Sequence, residues 1–214
     1  MKKDGRYDVS GLPEAQFEPG SNEQVLRNRL GIKSPKEMDD VETRALEKAM
    51  VELVGKYDEK HRFTATDIRE IHRLWLGEIY GWAGEYRQVN VSKGEFLFAA
   101  AVRVPDLMAG FERNVLARCT PCNLKDRTGV APALAETHVE LVLIHPFREG
   151  NGRSARILSI LMALQSGLPP LNFSSIAEEK KQEYFAAVQA GLDNNYAPME
   201  RLFVEIIERS LASS

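Results

Sequence analysis

Apolar residues recur along most of the chain at the three- and four-residue spacing of helices that bury one face. Ser34-Pro35-Lys36-Glu37 reads as a helix start, with serine as N-cap, proline at the first helical position and a glutamate able to reach back to the cap. That helix is expected to run to about Val54, with Met38, Val41, Ala45, Ala49 and Leu53 inward. Thr64-Ala65-Thr66-Asp67 opens a second, whose stripe is Ile68, Ile71, Leu74, Trp75 and Ile79. Further helices are expected from Pro105 to about Arg118 and from Pro132 to about Ile144. Another spans 152–166, stopped by Gly167, and one from Ser175 to about Ala190 opens on Ser175-Ile176-Ala177-Glu178. A last helix, about 198–211, carries Leu202, Ile206, Ile207 and Leu211. Val25–Leu30 reads as one more short helix, ended by Gly31.

The period changes once. Over residues 87–98, Val89, Val91, Phe96 and Phe98 alternate about Lys93-Gly94, the pattern of a short β-hairpin. Residues 1–24 are polar and punctuated by Gly11, Pro13, Pro19 and Gly20. They read as an extended arm packed through Tyr7, Val9 and Phe17. The expectation is an all-α single domain over 25–214 with one small hairpin, preceded by that arm.

With 214 residues, 43% hydrophobic and 28% charged, the chain can bury one substantial core. A formal net charge of −3 gives no basis for general nucleic-acid or anionic-membrane binding. No apolar run reaches the ~20 residues of a membrane span, and the N-terminus shows no secretory signal, so a cytoplasmic protein is expected. Cys119-Thr120-Pro121-Cys122 could be a redox pair or half a zinc site. Without a second such pair or a nearby histidine, it reads as thiols in a loop after a helix.

The chemistry concentrates in His145-Pro146-Phe147-Arg148-Glu149-Gly150-Asn151-Gly152-Arg153-Ser154-Ala155-Arg156, between two apolar segments. Glycines there let backbone N–H groups cradle an anion, and the next helix turns its positive end to the same spot. Arg153 and Arg156, i and i+3 on its first turn, can close on one polyphosphate. Glu149 is a hard oxygen ligand for a Mg²⁺ arriving with phosphates. His145 can take a proton near neutral pH. Asn151 can fix the turn with its side chain.

This stretch resembles, at every defining position, the Fic family motif His-Pro-Phe-x-(Asp/Glu)-Gly-Asn-Gly-Arg-x-x-Arg. Tyr80-Gly81-Trp82-Ala83-Gly84-Glu85-Tyr86-Arg87 and Val91-Ser92-Lys93-Gly94 are also Fic-like, so the resemblance covers roughly residues 25–210. It implies a Fic-type helical bundle with a hairpin flap, and transfer of AMP from ATP to a protein hydroxyl with loss of pyrophosphate. On that reading His145 is the base and the N–H groups from Gly150 through Arg153 form the anion hole. Arg153 and Arg156 hold the β- and γ-phosphates, and Mg²⁺ bridges α and β through Glu149. The flap, about Lys93–Phe98, would dock the target protein, with Lys93 and Gly94 beside the nucleotide. Tyr184 and Phe185 fall where similar proteins place adenine-contacting aromatics, although an ordinary core helix would also explain them.

Related proteins resemble one another in an inhibitory helix bearing Ser/Thr-x-x-x-Glu-Gly/Asn, whose glutamate would pair with Arg156. No complete copy exists here: Thr43–Glu47 is followed by Lys48, Ser10–Glu14 by Ala15, and Ser175–Glu179 by Lys180. Inhibition by a separate antitoxin-like protein is therefore expected. The motif reads phosphates and not the base, so transfer of UMP, GMP, phosphocholine or phosphate stays open, as does a nucleotide-binding interaction protein without turnover. A metal-dependent hydrolase would need a ligand cluster that the sequence lacks.

Overall fold

The computed structural model describes residues 11–122, 129–177 and 179–213. Nine α-helices and one two-stranded sheet order the described residues: α1 (Pro35–Lys56), α2 (Ala65–Leu76), β1 (Ser92–Lys93), β2 (Phe96–Leu97), α3 (Val104–Phe111), α4 (Ala117–Cys119), α5 (Val130–Ile144), α6 (Asn151–Gln165), α7 (Ser174–Ala177), α8 (Lys181–Ala190) and α9 (Ala197–Ala212). A π-helical turn, Glu112–Leu116, joins α3 to α4. The fold is all-α with a hairpin, as the periodicity requires.

Local sequence explains the helix starts. Ser34 accepts from the Glu37 N–H, and Thr64 with Asp67 forms a complete reciprocal cap. α5 is buried around nearly its whole circumference, from Val130 to Ile144, and α3, α6, α8 and α9 pack on it. Because α5 is central, its C-terminal end is a fixed point, and His145 is the residue that ends it. In the hairpin Ser92 pairs with Leu97 and Lys93 with Phe96. Gly94, at φ +60, takes the left-handed first position of the two-residue turn.

Three expectations need correction. Val25–Leu30 is not a helix, because Leu26 bridges Phe17 and the Asn28 side chain caps the next turn, accepting from the Leu30 and Ile32 N–H groups. The helix expected from Ser175 to Ala190 is two, α7 and α8. The N–H groups of Glu179 and Lys180 both close on the Ser175 carbonyl, and Lys180 pairs with Glu205 of α9. α2 stops at Leu76, so Ile79 is buried from the turn that follows.

In the arm, Tyr7 and Val9 lie outside the described residues, and Phe17 is 37% exposed. Its anchor is Glu14, buried, whose Oε1 accepts from the Gln88 and Val89 N–H groups. Cys119 and Cys122 are buried free thiols, and burial raises both pKa values. Among the described residues no group of His, Cys, Asp and Glu forms a metal-binding cluster. No helix among them is long and apolar enough to cross a membrane.

Candidate active site

His145 ends α5 in a left-handed conformation, φ 52°, that a non-glycine residue adopts only when its surroundings impose it. Arg87 imposes it. This arginine is 1% exposed and donates from Nε to the His145 carbonyl at 2.6 Å. Its other nitrogens reach the carbonyls of Ile144, Val89 and Ala99, so one cation ties the motif loop to both legs of the hairpin. The imidazole Nδ1 lies 3.0 Å from the Val142 carbonyl, which can only accept. Nδ1 therefore carries the proton and Nε2 the lone pair. Burial, aided by the positive charge of Arg87 and Lys93, lowers the His145 pKa to about 4, against the opposing Val142 hydrogen bond and Glu149. The ring is neutral at physiological pH and able to accept. Phe98 stacks on one face at 3.6 Å.

The loop after His145 is braced from within. The Asn151 side chain accepts from the Phe147 N–H and donates to the Phe147 carbonyl, both at 2.8 Å. Phe147 is fully buried and stacks on His72 at 3.9 Å. His72 accepts the Gly84 N–H at Nδ1, so its Nε2–H donates to the Glu149 carbonyl. Gly150, at φ +79, packs so closely that a Cβ would sit 2.8 Å from the Trp75 ring. Gly152 is different: a Cβ there would meet nothing within 4 Å.

Two cavities meet at His145. The polar one, about 380 Å³, is lined by Lys93, His145, Glu149–Arg153 and Arg156 among others. The more apolar one, about 540 Å³, lies against Ile176, Tyr184, Phe185 and Val188. Both share Lys93, Phe98, His145, Gly152 and Arg156. Gly150 has no capping side chain to offer α6, so the first N–H groups of that helix, at Asn151, Gly152 and Arg153, remain for an anion. The Gly150 N–H is not among them, because it donates to Glu149 Oε1 at 2.9 Å, and the expected anion hole loses that member.

The expected ligands are not equivalent. Arg156 Nε is buried with no hydrogen-bond partner among the described residues, and its guanidinium lies 5.8 Å from the Phe173 ring. Arg153 is instead held by Glu42 of α1 at 2.6 Å, with Glu149 at 3.5 Å and the Trp75 ring 4.6 Å from its guanidinium. Lys93 sits over the Phe185 ring at 4.1 Å, and burial with nearby Lys181 lowers its pKa. Gly94 lines neither cavity and serves the hairpin turn. Tyr184 contributes its ring, but its hydroxyl lies 2.9 Å from His138 Nε2 in the core. Glu149, 48% exposed, is a single carboxylate at the polar wall. It fits a cation that phosphate oxygens would co-ligate better than a resident ion.

Sequence reading missed Glu42, His72 and the bracing role of Arg87. Glu42 had a signal: it lies four residues after Met38 and seven before Ala49, a charge set in an otherwise apolar stripe. His72 had none, since the Glu149 carbonyl it holds is 77 residues away. Arg87 stood in the Fic-like stretch Tyr80–Arg87, but its hold on His145, 58 residues on, is visible only in the fold.

The Fic/DOC family model matches residues 62–163, which hold α2, the hairpin and the whole motif loop. Over that stretch the chain is similar to the Fic/DOC family. Protein adenylyltransferase VbhT of Bartonella schoenbuchensis is 29% identical over 167 residues, 76% of this chain and 33% of that protein. Protein adenylyltransferase Fic of Aedes aegypti is 27% identical over 209 residues, 96% of this chain and 40% of that protein. The chain thus spans two fifths or less of these curated relatives. The crystal structure of BepC from Bartonella tribocorum, with bound AMPPNP, superposes with a TM-score of 0.71 at 21% identity. It covers 92% of this chain and 97% of that one, and establishes the shared Fic fold.

Proposed function

We propose that this chain is a protein adenylyltransferase, moving AMP from ATP to a hydroxyl of a target protein. One observation carries the reading: His145, with Nε2 free to accept, stands where a cationic cavity and an apolar cavity join. A nucleoside triphosphate needs that pair of surroundings, and its α-phosphorus falls at the junction. The relatives' names and the AMPPNP in BepC support the same donor.

In the reaction, the target hydroxyl gives its proton to His145 Nε2 as its oxygen bonds to the α-phosphorus. The bond from that phosphorus to the bridging oxygen breaks, and pyrophosphate leaves. Arg153, Arg156, Lys93 and the first N–H groups of α6 meet the phosphate charge. Glu149 would hold Mg²⁺, which when bound neutralises charge on the α- and β-phosphate oxygens. The triphosphate's negative field raises the basicity that burial takes from His145.

The target segment docks along the exposed hairpin as an added strand, with Leu97, 78% exposed, available for side-chain contact. Arg156 has no carboxylate partner among the described residues, and Glu47 lies exposed on α1, which supports inhibition by a separate antitoxin-like protein. The need for ATP favours a cytoplasmic setting. The test is wild type and His145→Ala incubated with labelled ATP, Mg²⁺ and cell lysate. A band dependent on His145, with the added mass of AMP, is expected; equal labelling by both proteins removes the proposed base.

A further inference from the structure

Glu42 is an acidic residue that the motif does not include, yet it grips one that the motif does. It is 4% exposed on α1, with Oε2 2.6 Å from Arg153 Nη1. Its other oxygen accepts from the Tyr80 hydroxyl at 2.7 Å, and its backbone carbonyl accepts from Trp75 Nε1 at 2.9 Å. The Trp75 ring lies 4.6 Å from the Arg153 guanidinium. Arg153 is therefore fixed by a carboxylate and an aromatic ring, while its side chain stays 29% exposed and lines the polar cavity.

We propose that Glu42 is a positioning residue for nucleotide binding, holding Arg153 ready at the cavity wall so that it need not be ordered when the triphosphate arrives. The assignment rests on the polar cavity being a triphosphate site. A competing inhibitor would have to release its arginine. Glu42 is poorly suited to that, because Tyr80 holds its second oxygen and Trp75 its backbone. Guanidinium offers five N–H donors, so the hold by Glu42 leaves others for phosphate. Freezing one long side chain on binding weakens affinity by up to roughly tenfold, and that is the cost Glu42 removes beforehand.

Calorimetry on the full chain with Mg²⁺ and either ATP or AMP tests this. Glu42→Gln is expected to weaken ATP binding about five- to tenfold and to leave AMP binding unchanged, since AMP lacks the phosphates that Arg153 meets. Tyr80→Phe keeps every charge and every ligand-facing group; it should give a smaller loss of the same selectivity, and it decides the matter if the glutamine variant does not fold. A merely structural role would lower the thermal midpoint and leave the ATP-to-AMP ratio unmoved, which overturns the proposal. Tighter ATP binding by Glu42→Gln also overturns it, marking Glu42 as a competitor of phosphate. If the wild type binds no ATP, the nucleotide reading itself fails and this assignment with it. If the wild type binds and both variants match it, only Glu42 is misassigned.

Discussion

Gly150 and Gly152 stand two residues apart in one motif, and the structure assigns them opposite reasons for being glycine. At Gly150 an alanine meets two penalties. The left-handed backbone, φ +79, costs a residue with a Cβ about 1–2 kcal/mol. The Cβ itself would fall 2.8 Å from Trp75 Cζ3 and 3.3 Å from Leu76 Cδ1, inside a packed core, where overpacking costs about 1–3 kcal/mol. Gly150→Ala should therefore lose about 2–5 kcal/mol of stability, the sum of those two ranges. At Gly152 the backbone is ordinary helix and a Cβ touches nothing within 4 Å. Gly152→Ala should keep or gain stability, by up to about 1 kcal/mol from the lower entropy of the unfolded chain. The methyl would, however, intrude on space shared by both cavities, so ATP binding should fall at least tenfold. Urea unfolding with a constant slope measures the first quantity, and calorimetry with ATP the second. Gly150→Ala unfolding at the wild-type midpoint, or Gly152→Ala binding ATP like the wild type, would refute the reasoning.

Other outcomes follow from the same geometry. His145→Ala should bind ATP close to wild-type affinity and lose transfer by a factor of about 10² or more; a transfer rate within a few-fold of wild type would remove the base. His72 and His138 are buried and neutral, with pKa values lowered by burial to about 4 and about 3. A folded pKa below the unfolded value means stability is full above about pH 6.5 and declines as pH falls toward the folded values. The pair should lose together about 3 kcal/mol between pH 7.5 and 5.5; a flat urea midpoint over that range contradicts it. Arg87→Lys cannot reach the carbonyls of both hairpin legs and the motif loop at once. It should raise hairpin hydrogen-exchange rates and cut transfer while ATP binding changes less; unchanged hairpin protection would contradict the bracing role.

Local patterns settled what local physics governs. The caps at Ser34 and Thr64, the turn at Gly94 and the stripe of α1 depend on near neighbours, and the sequence alone supplied them. In α9 Leu202, Ile206 and Ile207 are buried as expected, while Leu211, in the last turn, is 38% exposed. The motif loop was legible for the same reason: Asn151 bonds Phe147 four residues away, and α6 starts within the loop. Tertiary structure decided the rest. Val25–Leu30 lost its helix to a bridge with Phe17, and the stretch after Ser175 broke where its backbone closed on one carbonyl. It also split two arginines that look alike in sequence, since Glu42, more than 100 residues upstream, holds Arg153 and leaves Arg156 without a carboxylate partner among the described residues. Periodicity records which face a residue shows, but a charge on that face takes its meaning from the partner that packing brings to it.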